Sequence, residues 1–581
     1  MLATDRQTDR QTDRQTDRQT DRQTGYPSVD KPWLKWYHEA DDLRDFPNQS
    51  MFDTIWNNNK NHLEDIALHY YGNKITYGKL FNMISVAEGK ISSLGLLKGD
   101  TVAFISIFTP EMIAMFYALN KVGVISCMMD PRTAPDCLAK YIENAKVKCL
   151  FVQDACLDVA NEVLTIKDVS KVVVLDTAKS MGFPTKQFYT ITSGKKTLTH
   201  ESVNYSDIKI ENSRKEEILE KAGDLPAVIC YTGGTTGESK GVLLSNNNTN
   251  SITEQYRVPT GGFERQQKWL APSVPFIAYY LVCSLHSPLA YGMQCYMEVY
   301  DNRKMKKIVK KNKINHIFAI PSFFEELLAD DTSDYSYIIM PTTGGDKLSE
   351  KTYNTVNDVL KRGHSEWKIC NGYGMTEVSS GACVTFFDGC NKVGSVGIPL
   401  VKTVVSAFDP ETGEEVKIGE QGEICISGPG VMIGYLNNEV ATREVIKEHH
   451  GMRWMHTGDL GHVDEDGCVF IDGRMKRMIV RFDGFKIYPT LVEEKILTCK
   501  LIENCSCVGM GDEEHGVGQV SVVFYTTKDN SIEPEVIEEE LRKTSLELLP
   551  KYSQPFAYKK IYELPRTKVG KIDYRKLEKM L

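Results

Sequence analysis

The stretch Tyr231 to Gly241, reading YTGGTTGESKG, constrains this chain more than any other. It follows the apolar run Ala227 to Cys230, whose length and content predict a buried strand. Four glycines, three threonines, Ser239 and Lys240 then crowd into a few turns of chain. Glycine lets backbone N–H groups converge on an anion, and threonine hydroxyls add donors. Lys240 supplies a point charge at the far end. A polyphosphate needs such a segment, although the cluster alone is equally compatible with a Gly-rich surface loop. It is not a Walker loop, because the spacing G-x-x-x-x-G-K-[ST] is absent and Gly241 follows the lysine.

The flanking pattern predicts α/β architecture. Strands are expected over Val102 to Ile107, Ile125 to Met129 and Cys149 to Val152, with helices over Glu111 to Val122 and Asp136 to Ala145. Such alternation argues for a largely parallel sheet. Thr197 to Lys221 is polar and reads as a surface connection. After the Gly-rich loop, Val242 to Leu244 predicts a strand, and Ser245 would cap a helix over Asn246 to Tyr256. Pro275 to Gly292 is apolar except for Ser284, His286 and Ser287, which suits a buried helix.

The pattern changes at Arg474 to Arg477. Beyond it come Val480 to Gly484, Tyr488-Pro489, and a capping box at Thr490 and Glu493 opening a helix. Strands are expected over Cys505 to Met510 and Gln519 to Tyr525. A helix from Pro534 carries Ile537, Leu541 and Leu548 and stops before Pro550. This part reads as an α+β domain of about one hundred residues, a common domain size. At the other end, residues 4–23 are five copies of T-D-R-Q. With nothing apolar to bury, residues 1–24 are expected to be disordered. The expected units are therefore 25–474 and 475–581.

A chain of 581 residues has room for two or more full-sized cores. The formal charge of −9 argues against nucleic acid or an anionic membrane as the main partner. The fifteen cysteines are scattered with no C-x-x-C pair. Cys505 and Cys507, the nearest two, read as split between opposite faces of a strand. Reduced thiols in a cytoplasmic protein are the expectation. No apolar run of about 18 residues occurs, so no membrane span is expected. The ending Lys579-Met580-Leu581 is not the S-K-L peroxisomal address.

The Gly-rich loop keeps specific company. NGYGMTE runs from Asn371 through Gly372, Tyr373, Gly374 and Thr376 to Glu377, HTGDLG from His456 to Gly461, GRMKR from Gly473, and PRTKVGK from Pro565 to Lys571. In this order and separation, from about Ile75 to the end, the chain resembles the adenylate-forming superfamily. That superfamily holds acyl- and aryl-CoA ligases, peptide-synthetase adenylation domains and beetle luciferases. The loop departs from the family in having Gly233 for the usual Ser and Ser239 for the usual Pro. The resemblance implies an α/β fold. A large multi-subdomain N-terminal adenylating domain of mixed sheets and helices would be followed by a smaller, mobile α+β C-terminal domain hinged near Lys476.

The resemblance also implies ligands and roles: ATP, Mg²⁺ and coenzyme A. Thr232, Gly233, Gly234, Thr235, Thr236 and Gly237, with Lys240, would surround the β- and γ-phosphates. Gly345 and Asp346, in a Gly-Gly turn, would lie against adenine, on which Tyr373 stacks. Thr376 would contact the α-phosphate and Glu377 would hold Mg²⁺. Asp459 would accept both ribose hydroxyls, a task a carboxylate can perform, and Arg474 would reach ribose or phosphates. Lys571 would serve adenylation, and the loop around Gly484 the later thiol transfer. His456 and His462 flank Asp459 without an assigned role.

Pro275 to Tyr280 falls where the family builds the front wall of its acid pocket. Amino-acid-activating members keep an Asp there and many acyl-CoA ligases a His; this chain has Ile277. Burying an amine without a counter-ion is costly, so an apolar acyl or aryl acid is expected. Tyr279 and Tyr280 suit pocket lining and core equally. The expected activity is that of an acid–thiol ligase, forming acyl-AMP and passing the acyl group to coenzyme A. No carrier domain follows Lys571, so loading a carrier would need a separate acyl-carrier protein, the first alternative. A luciferase-like oxygenase and a degenerate nucleotide binder without turnover are the others.

Overall fold

The structure, a computed structural model, describes residues 24–38, 45–192, 197–211, 221–232, 239–258, 263–272, 274–298, 302–328, 333–386, 388–527, 529, 531–567 and 572–581. The T-D-R-Q repeats, Gly233 to Gly237 and Lys571 lie outside the described residues. Gly25 N–H donates to Asp30, and Gly25 O accepts from Ile418 N–H at 2.9 Å.

Among the described residues, one large sheet takes its parallel core from alternating strands and helices. Strand Ile125–Met129 pairs with Thr101–Ile105, which pairs with Cys149–Gln153, which pairs with Val172–Leu175. Helices Pro110–Lys121, Pro135–Asn144 and Leu157–Ile166 make the crossovers. Covered on both faces, these strands are almost continuously apolar. Strand Pro226–Tyr231 extends the sheet in parallel and then turns back antiparallel into Gly241–Ser245. The two strands that flank the Gly-rich segment therefore pair as a hairpin, unlike the strand and helix that flank a phosphate loop. Helix Asn246–Arg257 follows, with Ser245 and Asn248 forming a reciprocal cap.

A second sheet aligns the parallel strands Gln294–Glu298, Lys268–Pro272, His316–Ala319, Thr342–Thr343 and Cys370–Tyr373. A third, antiparallel, holds Val404–Phe408, Gly422–Ser427, Met452–Val463 and Val469–Arg474. The smaller C-terminal part pairs Ile502–Gly511 with Gln519–Thr527 and adds Ala557–Lys560 in parallel. Helices Pro489–Ile496 and Pro534–Leu548 supply Val492, Ile496, Ile537 and Leu541 to its core. The α/β class and the mixed architecture are as expected. Among the described residues no helix is long and apolar enough to cross a membrane.

Several local expectations fail, each for a physical reason. The capping box at Thr490 does not form: Pro489 takes the first helical position after Tyr488, and no side chain caps the start. Glu493 instead accepts from Cys507 N–H at 2.8 Å and pairs with Arg477 at 2.6 Å. Leu548 is exposed, although Ile537 and Leu541 are buried. Cys505 and Cys507 share one face, because residues two apart in a strand do, and both enter the small core. Within Thr197 to Lys221, Val203–Asn204 adds an edge strand and Tyr205 and Ile208 are buried.

The Pro275 to Gly292 stretch is buried but is not one α-helix. Tyr280–His286 winds as a π-helix and passes into the single turn Ser287–Ala290, with Pro288 inside it. Two of its polar residues find partners there. His286 lies between Tyr117 Oη (3.1 Å) and Asn250 Oδ1 (2.8 Å), and Ser287 meets Thr253 at 2.9 Å. Burial pushes the His286 imidazole down to about 3, so it stays neutral.

Candidate active site

The neck of the Gly-rich hairpin is closed by Thr232. Its N–H donates to Lys240 O (3.0 Å), and its Oγ1 accepts from Lys240 N–H (3.3 Å). Tyr231 at the base stacks on Tyr141, ring centroids 3.7 Å apart. The short strand Gly434–Tyr435 pairs along Gly241–Ser245 and so brings Tyr435 beside Lys240. Lys240 Nζ sits 4.7 Å from the Tyr435 ring centroid, and Tyr435 Oη donates to Glu377 Oε1 at 2.9 Å. Burial, then the Glu377 charge, raises the Tyr435 phenol well above its ordinary value, so it remains a donor. Lys240 and Glu377, far apart in sequence, are joined through one tyrosine.

The NGYGMTE segment is shaped by close backbone approach. A Cβ on Gly374 would lie 1.8 Å from Ser380 O, so no side chain fits there. Thr376–Val378 forms one tight turn, pinned where Glu377 O accepts from Met432 N–H (2.8 Å) and Ser379 Oγ donates to Gly430 O (2.8 Å). The Asn371 amide is turned away into the scaffold: its Nδ2 donates to Ser395 O at 2.9 Å. Beside it, Thr342-Thr-Gly-Gly-Asp346 leaves the end of its strand with Gly345 at φ +82°. A Cβ on Gly344 would meet Gly372 O at 3.1 Å and Tyr279 Oη at 3.7 Å.

Tyr279 thus faces the Gly344–Gly372 cleft, whereas Tyr280 is buried. The Tyr279 hydroxyl and Thr343 Oγ1 are both buried without a hydrogen-bond partner among the described residues. Ile277 is partly buried against the main core. Buried polar atoms are normally paired, so two unpaired hydroxyls beside a glycine-lined cleft suit a flat ligand with polar edges.

The third cluster is the most fully braced. Asp459 is 3% exposed. It accepts from Tyr373 Oη at 2.5 Å and pairs with Arg474 Nε at 2.6 Å. Arg474 Nη1 also donates to Thr457 O at 3.3 Å. Burial and the adjoining Asp459 charge keep the Tyr373 phenol protonated.

From this cluster the chain enters the C-terminal part across a short connection. Arg474 is tied to Asp459, and Arg477 is tied to Glu493, to Cys507 O (3.1 Å) and to the Tyr574 ring, 3.6 Å away. Between them Lys476 is exposed. Arg566 and Ile572 form an antiparallel bridge, and Asp573 N–H donates to Pro565 O at 2.8 Å. Burial pushes the Tyr574 phenol up to about 12, and the negative charges of Glu493 and Asp346 add to that rise. Lys347 Nζ pairs with Glu494 at 3.2 Å. Gly484, by contrast, turns the hairpin Ile479–Val480/Lys486–Ile487 at φ +81°, and a Cβ there would meet nothing within 4 Å among the described residues.

The structure thus joins Lys240 with Glu377, and Tyr373 with Asp459 and Arg474. It sets Gly344 against Gly372 at one cleft, with Gly345 and Asp346 following in the chain, and puts Gly484 in a separate hairpin of the small part. Sequence reasoning passes over Tyr435 and leaves Tyr279 undecided. Neither stands in a phosphate- or nucleotide-like pattern, and only packing reveals them.

The family model for AMP-binding enzymes matches residues 55–436, and that for the AMP-binding enzyme C-terminal domain matches 491–571. The chain belongs to the AMP-binding enzyme family. Among relatives, a long-chain-fatty-acid–CoA ligase of Bacillus subtilis (strain 168) is 27% identical over 561 residues, spanning 94% of this chain and 97% of that protein. Probable 4-coumarate–CoA ligase 2 of Dictyostelium discoideum is 30% identical, over 76% of this chain and 78% of that protein. Among solved structures, O-succinylbenzoate coenzyme A synthetase of Bacillus subtilis with ATP and magnesium ion aligns at TM-score 0.74. It is 21% identical, covering 90% of this chain and 99% of that one.

Proposed function

We propose that the protein is an AMP-forming acid–CoA ligase: it joins a carboxylic acid to ATP as acyl-AMP, releases pyrophosphate, and transfers the acyl group to the coenzyme A thiol. The observation that carries this reading is the convergence of Lys240, Tyr435 and Glu377 on one side and Tyr373, Asp459 and Arg474 on the other. Both reactants of the first step are anions, so neutralisation and in-line positioning carry most of the catalysis. The donor set fits the implied ligands. Glu377 offers one hard carboxylate, which suits Mg²⁺ shared with phosphate oxygens. The unpartnered Tyr279 and Thr343 hydroxyls and the Gly344 cleft suit a nucleotide and its acyl partner.

In this reading Glu377 holds Mg²⁺, which when bound offsets phosphate charge. Tyr435 orients Glu377 and steers Lys240 toward the polyphosphate, with Thr232 and residues 233–237. Thr376 lies at the α-phosphate. Tyr373 covers adenine beside Gly345, Asp346, Gly372 and Gly374, and Asp459 and Arg474 take the ribose. Asn371 supports this strand through Ser395. Lys571 adds positive charge at the α-phosphate during adenylation, and Gly484 lines the thiol path after rotation about Lys476. The large unit would then be 25–474 and the mobile one 475–581.

The fatty-acid and coumarate ligases among the relatives support an apolar acyl or aryl acid, and Ile277 supports the same class. Pyrophosphate exchange with a panel of acids tests this. Exchange is expected with apolar monocarboxylates and absent with α-amino acids, and acyl-CoA should form with coenzyme A alone. An amino acid that outperforms every simple acid would overturn the pocket reading. Acyl-AMP without acyl-CoA would favour a separate acyl-carrier protein as acceptor, and no exchange with any acid would favour a degenerate nucleotide binder.

A further inference from the structure

Beneath Asp459 the strand Met452–Val463 bulges. Across it, Glu423 pairs with Leu460 and Cys425 with His456, so the four-residue step from His456 to Leu460 faces a two-residue step. Thr457, Gly458 and Asp459 thus face Ile424 alone, two residues more than the facing strand supplies, with Gly458 at φ +71°. Glu423 grips this bulge at two points. Its Oε2 lies 2.7 Å from His456 Nδ1, and its Oε1 accepts from Gly458 N–H at 2.9 Å. Thr457 completes the brace, donating from Oγ1 to Ile424 O (2.6 Å) and accepting from Asp459 N–H (3.0 Å). Burial opposes the Glu423 charge, but His456 and the Gly458 N–H outweigh it and hold the carboxyl below its ordinary value.

We infer that Glu423 is a positioning residue for nucleotide binding: through His456 and the Gly458 amide it sets the bulge that aims the Asp459 carboxylate at the ribose. This rests on the reading of Asp459 as the ribose acceptor. A bulge commonly re-aims a side chain, and this one needs an outside partner because its middle residues have no ladder mates on the facing strand. His456, 6% exposed, sits 3.3 Å from Cys425 Sγ, so the histidine end of the clamp is shielded from water. Glu423 itself touches neither substrate nor metal in this role. Its loss should therefore weaken the ribose contact selectively.

The test compares ATP with 3′-deoxy-ATP and 2′-deoxy-ATP in pyrophosphate exchange, using full-length protein. Wild type should prefer ATP, and Asp459→Ala should abolish that preference. Glu423→Ala should raise KM for ATP about ten- to a hundredfold, the loss expected for a hydrogen bond to a charged group. KM for each deoxy analogue should rise by a smaller factor, because each keeps only one of the two hydroxyls that Asp459 accepts. Glu423→Gln keeps the shape and should shrink the preference for ATP by a smaller factor; it decides the matter if Glu423→Ala does not fold. A Glu423 variant that loses ATP and both analogues equally, or that keeps full preference while Asp459→Ala loses it, overturns the clamp. If wild type shows no preference, or Asp459→Ala retains it, the ribose reading itself falls and the clamp with it.

Discussion

Two faces of the small C-terminal part meet the rest of the molecule very differently. On one, Glu494 pairs with Lys347, Tyr574 lies under Arg477 within reach of the Asp346 charge, and the chain closes where Arg566 bridges Ile572. This face holds Tyr574 within the field of Asp346 in the Gly-Gly turn. On the other, Phe485 stacks on Tyr552 and Phe482 on His515 within the small part, and the Gly484 hairpin meets the large part through the exposed pair Lys486–Glu411 at 3.2 Å. No described atom stands within 4 Å of a Cβ at Gly484. Under the proposed function, the contrast teaches that this arrangement serves adenylation. Under the same function, the Gly484 loop would reach the thiol path only after the small part turns about the exposed Lys476.

Glu377→Gln removes the single carboxylate of NGYGMTE, which serves the adenylating face. Pyrophosphate exchange at ordinary Mg²⁺ should fall by roughly two or more powers of ten. Unchanged exchange would remove Glu377 from the site. Arg477→Ala addresses how the small part is anchored. It leaves Glu493 and the Cys507 carbonyl without their buried cation, and losing one member of such a pair costs about 3–5 kcal/mol. A calorimetric scan should show the C-terminal part melting earlier, with the Gly25 to Arg474 transition little altered. Tyr435→Phe removes only the donor to Glu377 at 2.9 Å. Adenylation should fall about tenfold while thermal stability barely moves, in keeping with one hydrogen bond to a charged group.

Much of the site is legible in the sequence because its residues come in short strings whose spacing matches a known family. Tyr373, Glu377, Asp459 and Arg474 stand in such strings, and the structure brings them into the clusters described. The supporting residues do not. Tyr435 meets Glu377 only because Gly434–Tyr435 joins the edge of the Gly-rich hairpin, and Glu423 grips Gly458 only across a bulge. Both depend on pairing between distant strands, which leaves no local signature. The failed cap at Thr490 shows local chemistry losing to tertiary chemistry. Pro489 takes the first helical position, and Arg477 draws Glu493 away from the helix start. Strand boundaries in the parallel core are closer to expectation, since buried runs such as Ile125–Met129 are set by hydrophobic burial alone.

Under the proposed function, Lys571 and Gly484 serve different half-reactions. Measuring the two half-reactions separately in Lys571→Ala and Gly484→Leu tests it most directly. Lys571→Ala should cut acyl-AMP formation about a hundredfold or more, as loss of a charge acting at the developing transition state does. Thioester formation from supplied acyl-AMP should be nearly intact. Gly484→Leu should do the opposite. It strains a backbone at φ +81° and fills the thiol path, so acyl-AMP should accumulate with little acyl-CoA made. If both variants lose the same half-reaction, the account of a turning domain with two working faces is contradicted.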